Sequence, residues 1–211
     1  MATADTAAPP AMDVTHLPEF RNEPFADFSK PDVRRRYEQG LAEARAELGR
    51  EYDNRIGDQR LKSAKKFNSI NPSRSAEVVG VHQENTVEAA REAVANAALT
   101  FECWRLTKPE KRVEILLRAA AIFRRRKPYY SAWLTLETGK TFPEAEADLG
   151  EAIDFLEYYG RQALKLFGPQ PLHQLPGERD ELVYIPLGVG AVIPPWNFPM
   201  AITCGMTAAA L

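Results

Sequence analysis

The sequence has little of several features that by themselves would indicate a class of protein. Its 211 residues include two cysteines and three histidines, and 29 acidic side chains nearly balance 27 basic ones. Cys103 and Cys204 are too far apart for a metal-ligand motif, and so few cysteines are typical of a reduced, cytoplasmic protein. The near-zero charge argues against nucleic acid as a partner. No apolar run approaches the roughly 20 residues needed to cross a membrane. We therefore expect no nucleic acid, no membrane and no metal as partners.

The amino-terminal stretch also lacks a targeting pattern. "MATADTAAPPAMD" has neither a positively charged start nor an apolar core, so it does not match a secretory signal. Its small residues and prolines instead predict a disordered tail over residues 1–19.

Helical patterns dominate the middle of the chain, after a region of short strands and turns over residues 55–81. Asn85 and Glu88 have the spacing of a capping box and predict the start of one helix. Thr141 and Glu144 have the same spacing and predict the start of a longer helix, "EAEADLGEAIDFLEYYGRQALKLF". The basic run "RRRK" at residues 124–127 ends another helix, where we expect it to face water.

The last part of the chain predicts a strand, a rigid corner and a new helix. "ELVYIP" (residues 181–186) is typical of an edge strand, and "GVGAVI" (residues 188–193) is typical of a buried strand. "IPPWNFP" follows, and its three prolines exclude a continuous strand or helix. "MAITCGMTAAAL" then begins a helix. This order is the first half of a β-α-β crossover, so we expect an incomplete parallel sheet.

The corner places one amide side chain, Asn197, among apolar residues. Ligands of open α/β sheets bind where a strand ends and the next helix begins. A fixed amide N–H there suits an oxyanion that forms during acyl chemistry. The alternative is a buried turn in which Asn197 bonds to its own neighbours.

"IPPWNFP" resembles the signature of the aldehyde dehydrogenase superfamily. Three further stretches resemble that family in the same order: "NPSRSAEVVG", "RVEILLRAAAIFRRRK" and "LETGKTFPEAEADLGEAIDFLEYYGRQA". The resemblance extends from about Phe20 to Leu211. "FRNEPFADFS" and "EAIDFLEYYGRQA" resemble most the branch of 1-pyrroline-5-carboxylate dehydrogenases, which oxidise L-glutamate γ-semialdehyde with NAD.

The resemblance implies an α/β fold, namely the amino-terminal part of the aldehyde dehydrogenase fold. Helices would cover an incomplete Rossmann-like parallel sheet, with residues 20–211 forming part of the NAD-binding domain. Residues 169–187 would belong to an oligomerisation arm, so a homo-oligomer is expected. Members of the family are far longer. The nucleophilic cysteine, the general base and the catalytic domain are therefore expected outside these residues, which we expect to be inactive alone.

The resemblance also implies roles for particular side chains. Asn197 would donate its amide to the oxygen of the attacked aldehyde, and Phe198 would form a wall of the aldehyde tunnel. Glu151 would lie near the amino-acid end of the substrate, where a carboxylate can meet an ammonium group. Its alternative is a solvated helix face shared with Glu144 and Asp148. The NAD cleft would be lined by Ile193, Pro194, Pro195 and Trp196.

Two alternatives for the function stay open at this point. The chain could belong to a branch that oxidises another aldehyde, or be a non-catalytic truncated relative that binds a full-length partner. Cys204 lies near Asn197, but nothing around it matches the family's nucleophile motif. We therefore interpret both cysteines as packing residues.

Overall fold

The computed structural model describes residues 13–14 and 16–211. Helices and short strands alternate in the first half, and helices dominate the second. The elements, in chain order, are α1 (Pro31–Arg45), β1 (Arg50–Tyr52), β2 (Asn54–Ile56), β3 (Gln59–Leu61), β4 (Lys66–Asn71), β5 (Arg74–Gln83), α2 (Val87–Trp104), α3 (Pro109–Arg125), α4 (Lys127–Thr138), α5 (Phe142–Phe167) and α6 (Pro199–Ala210).

The strands between α1 and α2 confirm the region of short strands and turns predicted from the sequence. They form a three-stranded sheet in the order β1-β5-β4 and a separate hairpin of β2 and β3. β1 is parallel to β5, whereas β4 is antiparallel to it. The hairpin turns at Gly57, whose positive φ of 56° favours glycine.

Helix α5 is the centre of the helical part, because α3, α4 and α6 all contact it. Its apolar stripe follows helical spacing and includes Ala145, Leu149, Ala152 and Leu156. One core cluster lies between α3, α5 and α6, and another lies between α4, α5 and α6. α1 is attached separately, through its packing on α4.

The segment before α1 has no regular secondary structure, but it lies against the helices. Val14 is buried beside Val113 and Leu117 of α3, with Leu17 also in contact with this cluster. Residues 1–12 and 15 of the predicted tail lie outside the described residues. Within the described end of that tail, Val14 and Leu17 contact the core, and the prediction of a disordered tail over residues 1–19 stays a prediction.

The α/β class is confirmed, but the two strands predicted near the end of the chain are wrong. Residues 181–186 and 188–193 contain no strand, and nearly all of them are exposed. A strand needs a neighbour that completes its backbone hydrogen bonds. No described segment pairs with these residues, so the parallel sheet expected here is not formed.

Of the two capping boxes predicted from the sequence, one is confirmed and the other is not. Thr141 and Glu144 form the predicted capping box at the start of α5. The box predicted at Asn85 and Glu88 is wrong, because Thr86 is the N-cap and its hydroxyl accepts from the Ala89 amide. Among the helices of the described residues, none combines the length and the apolar character that a membrane span requires.

Gly40 lets α1 approach α4 closely. A Cβ added at Gly40 would lie 2.6 Å from the carbonyl carbon of Pro128. These are backbone atoms, which cannot move aside as a flexible side chain can. We predict that Gly40→Ala lowers the free energy of unfolding by about 1–3 kcal/mol, the usual effect of overpacking. Urea denaturation would measure the change.

Gln39→Ala is the matched control for this prediction. It introduces alanine next to Gly40 on the exposed side of α1 and should leave stability nearly unchanged. A Gly40→Ala protein as stable as the parent would contradict the close contact, because alanine is intrinsically the better helix former.

Candidate functional site

The corner at Ile193–Phe198 connects an irregular segment to α6. Phe198 is the N-cap of α6, and Pro199 begins the helix. Proline suits this position because its fixed φ matches the helix and its missing N–H would have no partner there. The prediction that a helix follows the corner is therefore confirmed.

The predicted cofactor-lining residues present an open apolar surface. Ile193 and Trp196 are 82% and 85% exposed, Pro195 is exposed, and Pro194 is partly buried. Asn197 is also exposed, and its side chain makes no hydrogen bond within the described part of the chain. The buried-turn alternative is thus wrong. The described residues do not enclose the amide in a cleft either.

Asp148 holds the start of α6 from the neighbouring helix. Its side chain is fully buried, and its Oδ1 accepts a hydrogen bond of 2.7 Å from the backbone amide of Ala201. Its Oδ2 lies 2.7 Å from Nζ of Lys140. Ala201 is the third residue of α6, so Asp148 bonds to an amide that an N-cap side chain would normally bind. A carboxylate at this end also complements the helix dipole.

Lys140, the partner of Asp148, also contacts the corner through the ring of Phe198. Its Nζ lies 4.0 Å from the centre of the Phe198 ring, a cation–π geometry. Lys140 is itself largely buried, so the pairing with Asp148 neutralises a charge that would otherwise be costly. Phe198, the predicted wall of the aldehyde tunnel, is thus fixed by a side chain that precedes α5.

From the sequence, Asp148 has no role of its own and is named only in the alternative for Glu151, a solvated helix face shared with Glu144. That alternative is wrong for Asp148, whereas Glu144 and Glu151 are exposed. A signal was available, because Asp148 falls at helical spacing among the apolar residues Ala145 and Ala152. No hydrogen bond or ion pair joins Glu151 to the corner within the described residues.

The cysteines differ in their surroundings. Cys204 lies on α6 and packs against α4 and α5. Its Sγ lies 3.6 Å from the carbonyl oxygen of Ala152. Burial raises the pKa of the Cys204 thiol to about 11, which keeps it protonated near neutral pH. This confirms Cys204 as a packing residue. The same interpretation is wrong for Cys103, which is exposed.

The basic run at residues 124–127 ends α3 as predicted, and Arg124 and Arg125 are exposed in its last turn. The prediction that the run faces water is wrong for Lys127. Lys127 is mostly buried and pairs with Glu146 at 2.6 Å and with Glu23 at 3.2 Å. Arg124 pairs with Glu23 and with Glu157. These ion pairs attach the segment before α1 to α5.

Comparisons with known proteins relate the chain to one family. Residues 60–211 match the model of the aldehyde dehydrogenase family. The chain is 50% identical over 192 residues to a 1-pyrroline-5-carboxylate dehydrogenase of Geobacillus thermodenitrificans and 48% identical to that of Anoxybacillus flavithermus. These matches cover 91% of the chain and 37% of each relative, so the chain spans little more than a third of their length.

Solved structures agree with the sequence relatives. A mutant of 1-pyrroline-5-carboxylate dehydrogenase from Thermus thermophilus superposes with a TM-score of 0.87 at 42% identity. A Thermus 1-pyrroline-5-carboxylate dehydrogenase with bound NAD gives a TM-score of 0.86, also at 42% identity. Each match covers 91% of this chain and 37% of that one.

The contrast between the two cysteines predicts different reactivity toward iodoacetamide. With a pKa near 11, Cys204 has about a hundredfold less thiolate than a thiol of ordinary pKa, and packing also shields it. We expect Cys103 to be alkylated first at mildly alkaline pH, with Cys204 modified only after denaturation. Mass spectrometry of peptides from a time course would measure both rates.

Cys103→Ser is the control, since it leaves Cys204 as the sole thiol. Rapid alkylation of that native variant would contradict the burial of Cys204.

Proposed function

Because the chain belongs to the aldehyde dehydrogenase family, we propose that the full-length protein oxidises L-glutamate γ-semialdehyde to L-glutamate with NAD. By the full-length protein we mean the chain continued to the length of its relatives. The observation that carries the proposal is the similarity to 1-pyrroline-5-carboxylate dehydrogenases over most of the chain. Residues 1–211 alone are proposed to form no NADH above background, because neither cysteine has the setting of a nucleophile.

In this function Asn197 stabilises developing negative charge. When a nucleophile adds to the aldehyde carbon, the carbonyl oxygen becomes an anion. An amide N–H held in place lowers the energy of that anion without reorganising. The proposal is supported by the place of Asn197 in the stretch "IPPWNFP", which resembles the family signature, within the residues that match the family. The described residues leave the Asn197 side chain exposed, so the groups that would enclose it lie elsewhere in the full-length protein. Its amide is thus available to a ligand.

The surface of Ile193, Pro194, Pro195 and Trp196 is proposed as part of the NAD site, within a partial NAD-binding domain of residues 20–211. The proposal is supported by the exposure of the apolar side chains and by the restricted backbone of the two prolines. Ile193 and Trp196 offer apolar faces to a flat ring system, and the two prolines limit the backbone freedom lost on binding. When bound, NAD supplies the acceptor for the hydride that leaves the aldehyde carbon.

Glu151 and Phe198 are proposed to contact the substrate. Glu151 is an exposed carboxylate on α5, three residues after Asp148. Since Asp148 bonds to the start of α6, Glu151 belongs to the part of α5 that approaches the corner. A carboxylate there can bind the ammonium group of the semialdehyde. Phe198, at the N-cap of α6, offers a ring that is 40% exposed.

Residues 169–187 are proposed as part of an oligomerisation arm in a homo-oligomer. The described segment has no regular secondary structure, and it exposes several large apolar side chains. Exposed apolar surface of this kind is typical of an interface. The exposed side chains are Leu172, Leu175, Leu182, Val183, Tyr184, Ile185 and Leu187.

The role of Asn197 predicts that Asn197→Ala lowers kcat of the full-length protein about 10²–10³-fold, the usual effect of removing one oxyanion donor. KM for NAD should change little, because the amide acts on the aldehyde oxygen. NADH formation followed by absorbance would measure both constants. Gln39→Ala removes an exposed amide from α1 and should leave both unchanged. A kcat of Asn197→Ala within twofold of the parent would exclude this role.

The role of Glu151 predicts a loss of discrimination between aldehydes. Glu151→Gln should lower kcat/KM for L-glutamate γ-semialdehyde about 10–100-fold, the range for a lost hydrogen bond to a charged group. Propanal has no ammonium group, so its kcat/KM should stay within twofold. Glu88→Gln, an exposed acid of α2, is the control. A parent enzyme that prefers propanal would contradict the proposed substrate, and equal losses for both aldehydes would contradict the role of Glu151.

A further inference from the structure

We propose that Asp148 and Lys140 are positioning residues that set the place of Asn197 and Phe198 for catalysis. This inference rests on the proposed function, in which Asn197 meets the developing oxyanion. Neither residue needs to touch the substrate. They act through the backbone at the start of α6 and through the ring of Phe198.

The start of α6 has no side-chain cap of its own. Phe198 at the N-cap has no side chain that could accept a hydrogen bond, and Pro199 has no N–H to offer. Asp148 supplies the missing acceptor to Ala201 from α5. The place of α6 along the bundle is therefore tied to one carboxylate.

The charge of the Asp148 carboxylate restricts how far α6 can move. Asp148 is fully buried, and a buried charge is tolerated only when paired and hydrogen-bonded. Both its oxygens are used, one by the Ala201 amide and one by Lys140. The geometry around Asp148 is consequently strict, because a shift of α6 would leave part of a buried charge without a partner.

The corner is held in place by contacts that follow Asn197 in the chain. Lys140 contacts the Phe198 ring and Asp148 bonds to Ala201, so both contacts act within four residues after Asn197. The side chains of Ile193 and Trp196, on the other side of Asn197, are largely exposed. The corner is therefore anchored from the α6 side. An oxyanion donor must be fixed to about an ångström, since such a misplacement can cost about a hundredfold in rate.

The test compares two buried carboxylates of α5 in the full-length protein. Asp148→Asn keeps the shape but removes the charge that pairs with Lys140. Glu146→Gln is the matched control, because Glu146 is also buried and pairs with Lys127 but contacts the segment before α1. We expect both variants to lower the melting temperature. Only Asp148→Asn should lower kcat at least tenfold, with KM for NAD within threefold. Equal kcat losses in the two variants, or a kcat of Asp148→Asn within twofold of the parent, would overturn the proposal.

Lys140 provides a second pair of variants if Asp148→Asn does not fold. Lys140→Arg keeps the positive charge and can still lie over the Phe198 ring, so it should retain most of the parent's kcat. Lys140→Met fills similar space without charge and should lose at least tenfold. Similar kcat values for the two would overturn the role of the ion pair.

Hydrogen exchange separates this inference from the proposed function. In Asp148→Asn, the backbone amides of residues 197, 198 and 200–203 should exchange faster, whereas in Glu146→Gln they should exchange as in the parent. Unchanged exchange in Asp148→Asn would overturn the anchoring even if activity fell. Measuring kcat with propanal as well as with L-glutamate γ-semialdehyde tests the proposed substrate separately. An enzyme active only on propanal would refute the substrate assignment and still allow the positioning to be measured.

Discussion

Carboxylates on α5, of which Asp148 and Glu146 are buried, are the constraint on which the arrangement of the irregular segments depends. Asp148 binds the first turn of α6, Glu146 accepts from the backbone amide of Ala26, and Asp154 accepts from the amide of Glu23. In each case a side chain of one long helix satisfies a backbone donor that has no partner in its own segment. Packing of apolar faces holds α5 among its neighbours, and the carboxylates add direction, because a hydrogen bond specifies distance and angle where apolar contact does not.

Much of the fold could be predicted, because helix signals are local. The capping box of Thr141 and Glu144 correctly marks the start of α5, since both of its hydrogen bonds lie within four residues. The strand predicted at residues 188–193 failed for the opposite reason. Its β-branched residues indicate a strand only if a neighbour completes the ladder. The chain covers little more than a third of its relatives' length, and none of its described residues provides that neighbour.

The candidate site stands out in the sequence, whereas the side chains that hold it in place do not. The corner with Asn197 stands out because three prolines and an amide are rare among aliphatic residues. Lys127 was expected to face water, and Asp148 was named only in the solvated-face alternative for Glu151, because charged residues are almost never fully buried unless they are paired. Their partners lie far from them in sequence or in another element, as Glu23 does for Lys127. Pairing across such distances leaves no local pattern. Helical spacing could place Asp148 on the apolar stripe, but only the fold shows which amide it meets.

Stiffness at one end and anchoring at the other explain how so exposed a corner can still be specific. Pro194 and Pro195 restrict the backbone before Asn197, so little conformational freedom is left to lose when a ligand binds. Asp148 and Lys140 fix the backbone after it. An exposed amide between two restrained segments is free of competing bonds and yet limited in the positions it can reach. This combination is what electrostatic preorganisation requires, because the donor must be in place before the charge forms. Under the role proposed for Asn197, the carboxylate that holds the start of α6 therefore matters to catalysis as much as the amide does.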